Sequence, residues 1–517
     1  MNREKESLVE FFLNPKNYPE KVDSIKHIET HISHVFIAGN YVYKIKKPVN
    51  FGFLDFTTLQ KRRFYCHKEV ELNSRLSKDL YKGIFPLFSS KEGLSFKKTE
   101  NSKIVEYVIK MSRIDDNTIL FNKIQDGRIL HNQIDKVVEH IGMFHKKADT
   151  YTGRMSIYGN TVFSCEENFS QIKPYVNKTI EKKTYDRIVD YTRCFLKKNK
   201  KKFYERRRSG FVKEIHGDLH SQHISLGNPP IIFDCIEFNN RFRIDDVLND
   251  ISFLLMDLEY NGRFDLSEVV LNVYSDCYRE AIDKEFIKFY KVYRAVVRGK
   301  VEGFISDTLN DEGKKSRVIK RARDYFSLAE TYLDDSTQFN PVIFFGPSGS
   351  GKSTIAKEFS KFYKVIRSDE VRKSISGKSV DNHIYVGFGE DIYSAKMTEK
   401  TYNKMADIML DDIKNGKKII LDATFLKKWQ RDIVMGVCKN MGLNPFFVYF
   451  FAPQDLLFER IKMRIKEGKD ISDAHEEILK KQLNEMEQPD ELPSFRLLKL
   501  DTSQKKEEIV STLKLFL

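Results

Sequence analysis

The sequence predicts two domains in tandem: a two-lobed α+β domain, then an α/β domain built on a parallel sheet. Three observations carry this. Residues 30 to 110 are β-rich runs around one helical stretch, whereas 130 to 205 and 246 to 335 keep helical periodicity. Residues 211 to 236 between them read as loop and short strands. Further on, the apolar run Pro341-Val-Ile-Phe-Phe345 leads into Gly346-Pro-Ser-Gly-Ser-Gly-Lys-Ser-Thr354 and then a helical pattern. Strand, glycine-rich loop, helix is the order a phosphate-binding loop requires. At 517 residues the chain also exceeds what a single core ordinarily supports.

The elements follow in order. Val35-Phe-Ile-Ala38 and Tyr41-Val-Tyr-Lys-Ile-Lys46 flank Gly39-Asn40 and read as a hairpin. Lys68 to Ser77 is helical, and Lys103 to Lys110 is a strand. The helical stretches of the larger lobe enclose the string Glu214-Ile-His-Gly-Asp-Leu-His220-Ser-Gln-His223, followed by Ile231-Ile-Phe-Asp234. The polar segment Asp334-Asp-Ser-Thr-Gln-Phe-Asn-Pro341 is the best boundary, giving domains over 1–335 and 338–517.

Composition narrows the class. Hydrophobic residues at 41% and charged residues at 31% describe a soluble globular chain, and no apolar run approaches the ~20 residues of a membrane helix. The charged start, Met1-Asn-Arg-Glu-Lys-Glu-Ser7, has no signal-peptide apolar core. Six scattered cysteines form no CxxC pair, so neither a zinc site nor a disulfide framework is indicated. The expectation is a cytoplasmic protein without a membrane partner. A net charge of +14 attracts acidic partners. The densest basic run, Lys197 to Lys202 and then Arg206 to Arg208, suits a solvated helix end, with a phosphorylated substrate or nucleic acid as the alternative.

The second domain carries the clearest chemistry. The backbone of Gly346, Pro347, Ser348, Gly349, Ser350 and Gly351 can curl so that its N–H groups meet phosphate oxygens. Lys352 reaches the β- and γ-phosphates, Ser353 offers a hydroxyl to Mg²⁺, and Thr354 continues the loop into the helix. The implied ligand is ATP with Mg²⁺. Arg460 and Arg464 share one helical face at i, i+4 and could close over the phosphates as a lid. Asp422 ends a third strand, where a metal or substrate ligand sits, with Thr424 just beyond. Tyr363-Lys-Val-Ile-Arg-Ser-Asp369-Glu-Val-Arg372 and Ser472-Asp-Ala474 resemble small P-loop kinases of the polynucleotide-kinase, gluconate-kinase and zeta-toxin type. That resemblance implies Asp369 as the base that activates an acceptor hydroxyl and Arg372 as a substrate grip. Trp429 is a core or substrate-loop anchor.

In the first domain, a loop Asp followed by a second Asp at a strand end is the arrangement phosphoryl transfer uses. The string HGDLH with Asp234 resembles the aminoglycoside phosphotransferase-like branch of the protein-kinase-like fold. By that resemblance Asp218 is the catalytic base and Asp234 a Mg²⁺ ligand, and the family's metal-binding loop asparagine falls on His223. Lys44 matches the lysine that grips the α- and β-phosphates, with Lys46, on the same strand face, as its rival. Glu69 matches the helix-borne ion-pair partner. No glycine-rich cover loop precedes the hairpin; Glu29 to His34 stands there. Asp246 and Asp250, spaced i, i+4, are expected to brace the catalytic loop rather than stand unpartnered. Together with Lys44-Ile-Lys-Lys-Pro-Val-Asn-Phe-Gly-Phe-Leu-Asp-Phe56 and Leu254-Leu-Met-Asp-Leu258, the chain resembles bacterial bifunctional aminoglycoside phosphotransferase/ATP-binding proteins.

The sequence therefore predicts a phosphotransferase with two ATP sites, acting on hydroxyls of a small molecule, a nucleotide-sugar or a nucleic acid. The alternative is a nucleotide-sensing regulator whose first domain binds ATP without transfer.

Overall fold

The computed structural model describes residues 2–127, 129, 131–334, 341–376, 395–467 and 476–517. Residues 335–340 of the expected boundary and the Ser472-Asp-Ala474 string lie outside them.

The first lobe opens with α1 (Asn2–Leu13) and a hairpin of β1 (Ile25–Glu29) and β2 (Ser33–Ala38). It continues through β3 (Tyr41–Lys46), α2 (Leu59–Ser74), β4 (Tyr81–Ser90), β5 (Gly93–Ser95) and β6 (Lys103–Ser112). The strands form one antiparallel sheet in the order β1-β2-β3-β6-β4-β5. The predicted β2–β3 hairpin turns at Gly39-Asn40, pairing Ala38 with Tyr41. Alternation puts Phe36, Tyr43, Ile45 and Val108 into a core with Phe12 of α1. α2 is longer than the sequence suggests, because the Thr58 side chain caps it by accepting the Lys61 N–H.

The second lobe is helical: α3 (Leu120–Gln125), α4 (His131–Lys147), α5 (Ile157–Ile172) and α6 (Lys182–Arg208). Four short strands follow, β7 (Val212–Glu214), β8 (Ile224–Ser225), β9 (Ile231–Ile232) and β10 (Ile244–Asp246), with α7 (Asn240–Arg243) before the last. Then come α8 (Val247–Tyr260), α9 (Phe264–Tyr278), α10 (Lys284–Asp307) and α11 (Glu312–Thr331). Every residue of α8 is buried. It is the axis of the lobe, packed by α9 and α10, and its few acids must find partners inside the protein.

The last segment alternates strand and helix: β11 (Val342–Phe345), α12 (Lys352–Glu358), β12 (Lys364–Arg367), α13 (Ser368–Ile375), α14 (Ala395–Lys414), β13 (Ile419–Asp422) and α15 (Lys428–Asn440). It ends with β14 (Phe446–Phe451), α16 (Gln454–Glu467), α17 (Glu476–Glu485), β15 (Leu497–Asp501) and α18 (Lys506–Phe516). The sheet is parallel throughout, in the order β12-β13-β11-β14-β15. β11, β14 and β13 up to its terminal Asp422 read as apolar runs because helices cover both faces. A kinase-like two-lobed domain is thus followed by a P-loop domain. They meet where Phe264 of α9 packs on Phe446 and Phe516, and where Lys320 of α11 donates to the Leu492 carbonyl at 2.9 Å. No helix among the described residues is long and apolar enough to cross a membrane.

Candidate active sites

The first site lies between the two lobes. β3 carries Lys44 and Lys46, and both reach Glu69 of α2: Lys44 Nζ to Oε1 at 2.9 Å, Lys46 Nζ to Oε2 at 2.6 Å. What separates them is their second partner. Lys44 also donates to Asp234 Oδ1 at 2.8 Å, at the cleft. Lys46 is 1% exposed and turns to Glu237, under the Phe56 ring. Burial alone would lower the pKa of Lys44, but Asp234 and Glu69 outweigh it and hold the ammonium well above its ordinary range.

Asp234 sits two residues beyond β9 with φ 63°, a left-handed conformation that costs a non-glycine residue about 1–2 kcal/mol. Its neighbours fix it. Asn73 of α2 accepts the Cys235 N–H at 2.9 Å, and Ser77 exchanges hydrogen bonds with Ile232. The turn aims the carboxylate back at Lys44.

The loop carrying Asp218 is built on α8. Asp250 accepts the backbone N–H groups of His216 at 2.8 Å and Gly217 at 2.9 Å. Asp257 accepts that of Ser221 at 2.9 Å, and Arg294 donates to the Gly217 carbonyl at 2.9 Å. Gly217 has φ 86°, and a Cβ there would lie 2.7 Å from the Phe242 carbonyl oxygen, so only glycine fits. The brace expected of the Asp246/Asp250 pair therefore belongs to Asp250. Asp246 is the N-cap of α8, accepting the Leu248 N–H, and its charge meets Arg206, with one contact at 2.8 Å. Asp218 has His220 Nε2 and His223 Nδ1 at 3.6 and 3.5 Å from Oδ2. Burial would raise its pKa, but His220, His223 and Arg298 hold it below the usual carboxylate range. Burial, then the neighbouring His220, pushes His223 down to about 4. The ring lies between the two carboxylates, 3.6 Å from Asp234 Oδ2.

The second site is a cleft of about 720 Å³ at the C-terminal ends of β11, β12 and β13. Gly346 has φ 139°, and a Cβ there would lie 2.1 Å from the Phe450 carbonyl oxygen, so the loop can start only with glycine. Lys352 folds back onto the carbonyls of Gly346 at 2.9 Å and Pro347 at 2.8 Å, and onto Ser350 Oγ at 3.3 Å. Burial holds Lys352 down to about 8, against the pull of Asp422 and Asp369. Asp422 ends β13 beside Ser353, whose hydroxyl favours its charged form, while burial pushes its pKa up. Its Oδ2 is buried, accepts no hydrogen bond, and has Arg367 Nε at 3.4 Å. A buried carboxylate oxygen so placed, next to a hydroxyl, fits a hard divalent cation.

Asp369 lies in the first turn of α13, two residues past the end of β12, and pairs with Arg372 at 3.0 Å. Both line the cleft, as do Ser348, Gly349, Gly351, Thr354 and Thr424. The Thr424 hydroxyl meets the Tyr402 hydroxyl at 3.1 Å, and its carbonyl accepts the Gly346 N–H. Arg460 and Arg464 come from α16. Arg460 donates to the Thr502 hydroxyl at 2.9 Å and carbonyl at 2.6 Å, tying α16 to the segment after β15; Arg464 lines the cleft. Trp429 is 41% exposed and edge-on to Tyr402, which makes it a rim residue rather than a core one.

Several site residues were not singled out from the sequence: Glu237, Asn73 and Arg294 in the first site, and Arg367, Tyr402, Thr502 and Gln482 in the second. Gln482 of α17 accepts the Ser348 N–H at 2.9 Å, on the phosphate-binding loop itself. Tyr402 is hidden in the amphipathic pattern of α14, and Thr502 lies in a turn with no motif. Arg367 alone had a signal, a cation two residues before Asp369 at a strand end.

Residues 342–489 match the family described as AAA domain. An uncharacterized protein of Mycobacterium tuberculosis is 28% identical over 405 residues, covering 77% of this chain and 78% of that protein. Among solved structures, a choline/ethanolamine kinase family protein from Mesorhizobium loti aligns with 64% of this chain and 98% of its own, at 13% identity and a TM-score of 0.37. A sugar kinase from Janibacter sp. aligns with 34% of this chain and 92% of its own, at 18% identity and a TM-score of 0.26.

Proposed function

We propose that this chain is an ATP-dependent phosphotransferase with two ATP sites, each passing a γ-phosphate to a hydroxyl, as in bifunctional aminoglycoside phosphotransferase/ATP-binding proteins. The observation that carries it is the grouping of Lys352, Ser353, Asp422, Asp369 and Arg372 in one cleft at the ends of parallel strands. That set supplies a phosphate grip, a cation site and a base within reach of one another. The first site repeats the logic with Lys44, Asp234 and Asp218.

In either site the acceptor oxygen bonds to the γ-phosphorus as the bond from that phosphorus to the ADP oxygen breaks. The hydroxyl proton passes to Asp369 in the second site and Asp218 in the first. Lys352 leaves its loop carbonyls for the phosphates, whose charge favours the ammonium that burial disfavours. Lys44 likewise exchanges Asp234 for phosphate. Ser353 with Asp422 would hold Mg²⁺, and Asp234 with His223 a divalent cation; either, when bound, would neutralise phosphate charge. Arg372 and Thr424 face the acceptor side, and Arg460 and Arg464 the phosphates.

A small hydroxyl-bearing molecule suits the second cleft, of about 720 Å³. A nucleic-acid acceptor would draw on the α6 basic run, but there Lys202 already meets Asp283 and Glu285 at 3.3 and 3.2 Å, and Arg206 is buried on Asp246. The test is ATP consumption by the full chain across hydroxyl-bearing metabolites and 5′-hydroxyl oligonucleotides, with Lys352→Ala and Asp218→Ala silencing one site each. Turnover lost in one variant but kept in the other assigns each activity to its site. Nucleotide binding without turnover in any arm would favour the regulatory alternative.

A further inference from the structure

We infer that the first site takes a divalent ion of the first transition series, Mn²⁺ being the ion to test, directly on His223 Nε2 and Asp234 Oδ2 in preference to Mg²⁺. This rests on the phosphotransferase reading and names the metal that site uses.

Backbone groups fix the proton on each histidine of the loop. His216 Nδ1 accepts the Asp218 N–H at 3.2 Å, so its Nε2 carries the proton that it donates to the Phe233 carbonyl at 2.9 Å. His220 Nδ1 accepts the Gln222 N–H at 3.4 Å, so its Nε2 also carries the proton, 3.6 Å from Asp218 Oδ2. Asp218, His220 and His223 bring one potential ligand atom each within 4.8 Å, but that proton removes His220 from the set.

His223 is reversed. Its Nδ1 lies 3.0 Å from the Asp218 carbonyl oxygen, which can only accept, so in the neutral ring Nδ1 holds the proton and Nε2 presents a lone pair. That lone pair faces Asp234 Oδ2 at 3.6 Å, while Asp234 Oδ1 is taken by Lys44. In that tautomer two acceptors face one another. A cation satisfies both, and 3.6 Å is a span that two ligands about 2.1 Å from a shared ion can bridge. The Nδ1 hydrogen bond and the His220 ring at 4.1 Å hold the imidazole in place, as second partners of metal-bound histidines do. Imidazole nitrogen is a good ligand for transition ions, whereas Mg²⁺ selects oxygen and keeps its waters.

The test is pulsed electron paramagnetic resonance of the full chain with one equivalent of Mn²⁺. Directly bound nitrogen modulates the echo, and no histidine is found among the described residues lining the second cleft. Nitrogen modulation is expected in the wild type and lost in His223→Asn. Competition of Mn²⁺ against Mg²⁺ should show the Mn²⁺ preference falling about tenfold or more in that variant. Absence of nitrogen modulation in the wild type overturns the inference even if His223→Asn fails to fold. So does an unchanged Mn²⁺/Mg²⁺ ratio in a folded variant. Turnover with Mg²⁺ and no nitrogen modulation leaves the phosphotransferase reading intact and this inference overturned. Nitrogen modulation without turnover does the reverse.

Discussion

Lys44 Nζ and Asp234 Oδ1 lie 2.8 Å apart although 190 residues separate them in the chain. The bond joins a strand of one lobe to a loop of the other and closes the cleft on itself. Each partner of this pair is a group that a metal–nucleotide complex would claim, so the bond is one that nucleotide binding must break.

The two lysines of β3 should therefore fail differently. Lys44→Met removes a phosphate partner, and a charge-assisted bond of about 1.5–3 kcal/mol corresponds to a loss in nucleotide affinity of about tenfold or more. Its effect on stability should be small. Lys46→Met leaves Glu237 and Glu69 facing each other in the interior and should cost about 3–5 kcal/mol of unfolding free energy. Nucleotide titration in a Lys352→Ala background, alongside urea unfolding, separates the two. Equal losses of affinity in both would reverse the assignment.

In the second site, Lys352→Ala and Asp369→Asn should part company. The alanine variant loses the main cationic contact with phosphate, so binding and turnover fall together. The asparagine variant keeps the charge pattern of the phosphate grip and loses the proton acceptor. Nucleotide affinity should hold within a few-fold while turnover drops by about 10²–10⁴. An Asp369→Asn enzyme with ordinary turnover would remove Asp369 from the role of base.

Much of this was legible in the sequence, and the reason is local. The β2–β3 hairpin is announced by Gly39-Asn40, the phosphate loop by its glycine spacing, and the Asp218 loop by its own string. Contacts spanning the chain were not legible. Nothing near Asn73 signals that it holds the Cys235 N–H, 162 residues on, and nothing near Glu237 signals that it will neutralise Lys46. Both depend on how two lobes fold together, which no local pattern encodes. The Asp246/Asp250 spacing misled in part for a related reason: a helix cap lies outside the helical period. Asp246 capping α8 is a local event, but its pairing with Arg206 of α6 is a tertiary one.

Acid should weaken the fold in part through Asp265. Burial would raise its pKa, but Arg263 and the His131 ring hold it down to about 2, from an ordinary 3.8. Arg263 donates to both oxygens, at 2.8 and 2.6 Å. Because the folded pKa is the lower one, the stabilisation is complete above about pH 4 and is lost as pH falls towards 2. The shift corresponds to about 2 kcal/mol. Unfolding free energies of wild type and Asp265→Asn should differ by a constant amount above pH 5 and converge below it. A difference that does not change with pH would mean that the carboxylate's charge contributes nothing.

Asp250 offers the sharpest separation of brace from chemistry. It is fully buried, and it accepts the N–H groups of the two residues before Asp218. His145 Nε2 lies at 3.2 Å on its Oδ2, so the carboxylate is the common partner of a loop, a helix and its own axis. Asp250→Ala leaves two buried N–H groups without an acceptor, at about 1–3 kcal/mol each, so unfolding should become easier by about 3 kcal/mol. Hydrogen exchange over residues 214–220 should accelerate for the same reason. Asp250→Asn keeps one acceptor oxygen and should recover part of both losses. In the folded protein, Asp250→Ala should lower first-site turnover more than nucleotide affinity, because Asp250 holds the Asp218 loop directly and reaches the Asp234 turn only through the His216 bond to the Phe233 carbonyl. An alanine variant as stable as wild type, with unchanged exchange at His216 and Gly217, would show that the loop holds its shape without this carboxylate.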